Sequence, residues 1–240
     1  MKNNTHISVC VPAYNEAATL EDAVRDLLQT ISPHVGDLEI IIVDDGSYDA
    51  TAEIAARLQK KHSQIKVITH KINHGIGACY RDALRIAAGD YFAWFPADHE
   101  DPAEEFLPCL DLLASDTIVT CHHRGFDRRS RLRRGMSIFY TGLLNKIFKI
   151  NLQYYNGMTI FPIKIVKSLP LVSDGFLMFS ENLVRAIKQN HRVIEVAFPL
   201  KGRKAGKSKI YSFSSLWQMS KDAARILLQA KLDNSSGYKM

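Results

Sequence analysis

Four short apolar runs, each closed by a polar turn and followed by a helical pattern, constrain this chain more than any other feature. The runs cover residues 7–12 (I-S-V-C-V-P), 39–43 (E-I-I-I-V), 65–69 (I-K-V-I-T) and a segment opening at Tyr91 (Y-F-A-W-F). Between them, apolar residues recur at helical spacing over residues 17–28, 51–58 and 78–88, with Pro33, Gly36 and Gly89 as breakers. Ser47 or Asp49 is available to cap the second helix, and Gly89 to close the third. A β-α-β-α-β-α-β order with joints this short predicts an α/β fold, a mainly parallel sheet covered by helices on both faces.

Open parallel sheets bind ligands outside the carboxyl ends of their strands. Every polar signature of the first hundred residues falls at such an end: Tyr14-Asn15-Glu16, Asp44-Asp45-Gly46-Ser47, Asn73-His74-Gly75, and Asp98-His99-Glu100. In extended chain the side chains of Asp98 and Glu100 point the same way, and two carboxylates there suit a hard divalent cation, Mg2+ or Mn2+, bound with a phosphate-bearing substrate. Glu16, Asp44 and Asp45 suit the N–H and O–H groups of a base and ribose. D-D-G-S is equally good strand-to-helix turn chemistry, and acids before a helix are ordinary caps, so both readings stay open.

The second half is less regular. Residues 106–114 read as helix, 117–121 as strand, 137–150 as an amphipathic helix, 158–161 as strand, 179–189 as helix and 192–198 as a last strand. A terminal helix is expected over 214–232. The 137–150 helix can pack inward or lie on a membrane, and packing is the expectation.

Charge narrows the ligand class. The net charge is +6, and the excess is clustered: Arg124, Arg128, Arg129, Arg131, Arg133 and Arg134, then Lys201, Arg203, Lys204, Lys207 and Lys209. Such clusters attract polyanions. Nucleic acid is not expected, because only Phe126 accompanies the arginines as a stacking aromatic. Cys10, Cys79, Cys109 and Cys121 show no C-x-x-C spacing and read as buried thiols in a reducing compartment. No leader-like or 18-residue apolar run is present, which predicts a cytoplasmic protein, at most peripheral on a membrane.

The segments V-P-A-Y-N-E (residues 11–16), V-D-D-G-S-Y-D-A-T (43–51), N-H-G-I-G-A (73–78) and A-A-G-D-Y (87–91) together resemble the family-2 glycosyltransferases. Within that family, H-R-G-F (123–126), S-D-G-F-L-M-F-S-E (173–181) and I-E-V-A-F-P-L-K-G-R-K-A-G-K-S-K (194–209) resemble the dolichyl- and polyprenyl-phosphate sugar synthases. The resemblance implies a GT-A-type fold and an inverting transfer from a UDP- or GDP-sugar to a polyprenyl monophosphate. It implies donor-nucleotide contacts from Pro12, Tyr14, Glu16, Asp44, Asp45, Asn73, Gly75, Ala97, Arg203 and Lys209. It also implies a metal at Asp98 and Glu100, and an acceptor phosphate held by Arg124, Arg133 and Ser137. The family's metal motif begins with an acid where this chain has Pro96.

An anionic phosphate acceptor needs no general base, whereas a sugar hydroxyl does. If the acceptor is instead a hydroxyl of a glycan or small molecule, Glu181 or Asp174 is the candidate base. A third alternative is a non-catalytic scaffold that binds a polyanion. His99, His122 and His123 are expected to serve structure. Residues 1–210 read as one catalytic domain, with a donor half over about 1–115 and an acceptor half over about 116–210, followed by a helix and tail over 211–240.

Overall fold

The computed structural model describes residues 3–99, 102–124 and 131–199. Seven strands form one sheet: β1 (Asn3–Ala13), β2 (Val35–Asp44), β3 (Ile65–Thr69), β4 (Tyr91–Trp94), β5 (Thr117–Arg124), β6 (Thr159–Pro162) and β7 (Arg192–Pro199). Their order across the sheet is β3-β2-β1-β4-β6-β5-β7. β1 to β4 are parallel, with Val9 opposite Ile40 on one side and Ala93 on the other. β6 runs antiparallel to both β4 and β5, so β5 and its parallel neighbour β7 point the same way as the first four.

The apolar runs are continuous because both faces of the sheet are covered. The last five residues of β2 are all buried. Ile40 and Ile42 face a cluster with Leu20, Val24 and Leu27 of α1 (Leu20–Thr30) and Leu58 of α2 (Thr51–Lys61). Ile41 and Val43 face the opposite cluster with Tyr80 and Ala83 of α3 (Ile76–Ile86). That second cluster also takes Leu144 and Phe148 of α5 (Arg131–Phe148), Val166 of α6 (Ile163–Ser168), and Met178 and Leu183 of α7 (Leu177–Lys188). Side chains alternate across a strand, so one five-residue run feeds two cores. Full burial of each such aliphatic side chain stabilises by about 1.5–3 kcal/mol.

Several elements depart from the sequence reading. The expected helix over 106–114 is a 3-10 turn (Ala103–Phe106) and one turn of helix, α4 (Leu107–Leu110). α5 begins at Arg131, well before the first apolar residue of its stripe. α6 was not expected, since six residues after Pro162 carry too little periodicity to read. α3 ends at Ile86 with Ala87 extended, so Gly89 is no cap. Its N–H instead donates to Ser8 Oγ at 2.9 Å. Asp49 rather than Ser47 takes the first N–H of α2, accepting from Thr51 at 3.0 Å. The four cysteines are buried free thiols, with Cys109 and Cys121 Sγ atoms 3.0 Å apart. Residues 214–232, expected as a terminal helix, lie outside the described residues.

Candidate active site at the carboxyl edge of the sheet

After β1 the chain goes to β2 and β3 on one side, then crosses back to place β4 on the other. The β1–β4 boundary is therefore the switch point, where the connections part and leave a crevice above the carboxyl ends. Tyr14-Asn15-Glu16 leaves one wall of it and Ala97-Asp98 the other. Pro12, Asp44, Asp45, Asn73 and Gly75 fall along the same edge, as the sequence predicts.

The turns after β1 and β2 are fastened to one another. Asn15, at φ 55°, donates its N–H to Ser47 Oγ at 3.0 Å, and its Oδ1 accepts the Tyr48 N–H at 3.0 Å. The Glu16 N–H reaches Thr51 Oγ1 at 2.9 Å. Tyr14, 41% exposed, stands edge-on to Tyr48 with ring centres 6.1 Å apart. This leaves an exposed aromatic at the mouth and a polar floor behind it.

Asp44 and Asp45 are both buried, with different partners. Asp44 Oδ1 accepts the Ser47 N–H at 3.2 Å. Asp45 Oδ1 accepts the His74 N–H at 2.9 Å and lies 2.7 Å from His70 Nδ1, while Oδ2 accepts the Gly75 N–H at 2.8 Å. His70 Nε2 is in turn 3.1 Å from Asp82 Oδ2. A buried carboxylate is tolerated only with this degree of pairing. Asp45 thus holds the turn after β3.

Among the described residues, Asp45, His70 and Cys79 bring potential metal-ligand atoms within 4.8 Å of one another. The Asp45 oxygens are already taken by two backbone N–H groups and an imidazole. Burial first, and then the Asp45 carboxylate, push the Cys79 thiol far above its ordinary range. A thiol held protonated is a poor ligand, so this trio reads as a hydrogen-bonding hub.

Asp98 follows the buried Ala97 and is half-buried at the crevice. His99, at φ 51°, lies 3.2 Å from Asp26 Oδ2, which also accepts the Ala103 N–H at 2.8 Å. Asp26 of α1 therefore secures the far side of this loop, consistent with a structural His99. Mg2+ and Mn2+ commonly bind through one or two carboxylates completed by substrate phosphate and water. Asp98 at the switch point fits that donor set; Glu100 lies outside the described residues.

The expected acceptor residues are split. Arg124 ends β5, on the same edge as Ala13, Asp44 and Trp94 because β5 runs parallel to those strands. Arg133 and Ser137 lie four apart on α5, a spacing that shares one helix face. Arg203 and Lys209 lie outside the described residues.

Asp174 and Glu181 differ sharply. Asp174 is half-exposed and ion-paired with Arg81. Glu181 is fully buried on α7, accepting the Ser173 N–H at 2.9 Å and Arg185 Nε at 2.8 Å. Sequence reasoning missed His70, Asp82, Arg81 and Asp26. Only His70 carried a local signal, its place immediately after β3.

Exposed apolar side chains gather on α5. Ile138, Phe139, Leu143 and Ile147 are between 37% and 71% exposed, while Leu144 and Phe148 of the same helix pack inward. No helix among the described residues is long and apolar enough to cross a membrane.

Comparison with known proteins adds the following. The family model described as Glycosyl transferase family 2 matches residues 8–170. The dolichyl-phosphate beta-glucosyltransferase of Dictyostelium discoideum is 29% identical over 93% of this chain and 74% of its own length. The glycosyltransferase AglD of Haloferax volcanii is 28% identical over 85% of this chain but only 34% of its own length, so the match is to one part of it. Among solved structures, glucosyl-3-phosphoglycerate synthase from Mycobacterium tuberculosis bound to UDP superposes with a TM-score of 0.67 at 22% identity, covering 94% of this chain and 79% of that one. Mannosyl-3-phosphoglycerate synthase from Rubrobacter xylanophilus gives 0.73 at 17% identity, over 98% and 77%. At these identities the likeness is one of fold, the GT-A type.

Proposed function

Since the chain belongs to glycosyl transferase family 2, we propose that it moves a sugar, with inversion, from a UDP- or GDP-sugar to a polyprenyl or dolichyl monophosphate at the cytoplasmic face of a membrane. The observation that carries this reading is the placement of Asp98 and Arg124 on one edge of the sheet, with α5 presenting an exposed apolar face elsewhere. Asp98 stands at the β1–β4 switch point, Arg124 ends a parallel strand on the same edge, and α5 joins Arg133 and Ser137 to an exposed apolar face.

In this reading residues 1–115 form the donor half and 116–210 the acceptor half. The turns after β1, β2 and β3 receive the nucleotide, with Tyr14 at the mouth and Asp44 toward the ribose and base. Asp98, with Glu100, would hold a divalent cation, which would supply charge neutralisation for the departing nucleoside diphosphate. That Mn2+ or Mg2+ accompanies UDP in solved structures of glucosyl-3-phosphoglycerate synthase supports the expectation. An acceptor phosphate oxygen forms the new bond to the anomeric carbon as the bond to the diphosphate breaks on the opposite side. The acceptor is already an anion, so arginines at 124 and 133 need only hold it in line. The exposed Ile138, Phe139, Leu143 and Ile147, with the exposed Lys146 among them, suit a helix lying on an anionic lipid surface.

A second reading, transfer to a hydroxyl of a small molecule, draws support from the phosphoglycerate-bound neighbours. It requires a base, and Glu181 is fully buried among its own partners, which leaves Asp174.

The test is a transfer assay with UDP- and GDP-sugars, Mg2+ or Mn2+, and a short polyprenyl phosphate. Lipid-linked product that falls at least about a hundredfold in Asp98→Ala is expected. Turnover of a nucleotide sugar only onto hydroxyl acceptors would move the second reading ahead.

A further inference from the structure

Glu181 lies on α7 with no exposure at all, and every oxygen of its carboxylate is occupied. Oε2 accepts the Ser173 N–H at 2.9 Å, both oxygens lie 3.3 Å from the Val172 N–H, and Oε1 accepts Arg185 Nε at 2.8 Å. What this carboxylate does is decided by the segment it holds.

That segment, residues 172–174, is pressed against the turn after β3. The Gly77 N–H donates to the Asp174 carbonyl at 2.8 Å, and Arg81 donates to the Ser173 carbonyl at 2.7 Å while pairing with the Asp174 carboxylate. The approach is close enough to demand glycine. A Cβ on Gly77 would sit 2.0 Å from the Ser173 carbonyl oxygen, and one on Gly75, whose φ is 90°, 2.6 Å from that of Asp174. The other side of the same turn hangs from Asp45 through the His74 and Gly75 N–H groups. The Asn73-to-Gly75 turn and the start of α3 are thus clamped between Asp45 and the 172–174 segment, and Glu181 is the outer anchor of the clamp.

We infer that Glu181 is a positioning residue for the donor: it fixes the nucleotide-side turn from the other half of the molecule and exchanges no proton with substrate. The inference rests on the nucleotide-sugar reading for its functional consequence, though not for the clamp itself. Apart from its ion pair with Arg185, Glu181 acts through the Val172 and Ser173 N–H groups, so its loss loosens the donor site without removing a reacting group. Donor affinity then falls while the chemical step is preserved once the site is filled. A general base would behave in the opposite way.

The experiment uses the full chain and three proteins: wild type, Glu181→Gln and Gly77→Ala. Gly77→Ala pushes the same contact apart and carries no titratable group, so it keeps the question answerable if the Glu181 variant folds poorly. Calorimetric titration with UDP and GDP is expected to show Kd raised roughly tenfold in both variants. Donor KM should rise in parallel, kcat should stay within about threefold, and the pH–rate profile should keep its shape. Unchanged Kd with kcat down about a hundredfold and the acidic limb of the profile lost in Glu181→Gln alone would overturn the inference and make Glu181 the base. Hydrogen exchange without nucleotide separates this from the functional reading. Faster exchange of the His74, Gly75 and Gly77 amides in Glu181→Gln supports the clamp even if no nucleotide binds the wild type, and unaltered exchange refutes it.

Discussion

The turns at the carboxyl edge and helix α5 are built differently. Beneath the turns after β1, β2 and β3, polar side chains are buried or half-buried and spoken for: Asp45 has two amides and an imidazole, Asn15 bonds through both its N–H and its side chain, and Thr51 accepts from Glu16. Along α5 the reverse holds. Its inner face fills the core with Leu144 and Phe148, while Phe139 stands 71% exposed. A nucleotide site gains from being rigid before the ligand arrives, since ordering then costs little on binding. A surface that takes a lipid phosphate at a bilayer can leave its completion to the bilayer.

The comparison breaks most visibly at Asp45. Asp45→Asn turns an amide N–H₂ toward a backbone N–H and removes the carboxylate from its contact with His70, which keeps Asp82. A loss of about 3 kcal/mol is expected, readable as a denaturant midpoint shift, together with weaker UDP or GDP binding. If Asp45 were only a nucleotide contact, affinity would drop with stability intact.

A smaller effect is expected at the opposite edge of the sheet. Glu39 lies beside Lys66 Nζ and Ser8 Oγ at 2.5 Å each and accepts the Ala88 N–H at 3.0 Å. Burial alone would raise its carboxyl, but Lys66, Ser8 and Ala88 outweigh that and hold it below the ordinary value. The folded group therefore titrates lower than the unfolded one, so its contribution is complete above the ordinary carboxylate range and is lost as pH falls through the folded value. Glu39→Gln should cost about 1 kcal/mol at neutral pH and flatten the decline of stability toward pH 3. An equally steep acid decline in the variant would remove Glu39 from the account.

The smallest stability effect sharpens the contrast. Phe139→Glu should change folding free energy by no more than about 0.5 kcal/mol, as for an exposed site. It should nonetheless weaken co-sedimentation with anionic vesicles and raise the KM for a lipid acceptor while leaving that for the nucleotide sugar alone. A large loss of stability would mean that this face packs within the fold.

The sequence reading fared unevenly for physical reasons. The first four strands were legible because burial on both faces makes their apolar runs continuous, and β3 (Ile65–Thr69) was read to the residue. The position of the site followed from the rule that ligands sit at carboxyl ends. Partnerships across the fold were not legible. His70 meets Asp45 from 25 residues away and Arg81 meets Ser173 from 92, and no local pattern marks either. Nor could D-D-G-S reveal that its second acid would serve the backbone. The start of α5 was missed because its first turn is arginine, and α6 because it is one and a half turns long.

The central proposal is that a prebuilt nucleotide site works with a separate acceptor site to which Arg133 contributes. The measurement that tests it most directly is the Arg133→Ala variant in two assays, nucleotide titration and sugar transfer onto a polyprenyl phosphate in vesicles. The account predicts a nucleotide Kd within about twofold of wild type and lipid-linked product reduced at least about a hundredfold. Undiminished transfer to the lipid, or equal loss of nucleotide binding, would contradict it.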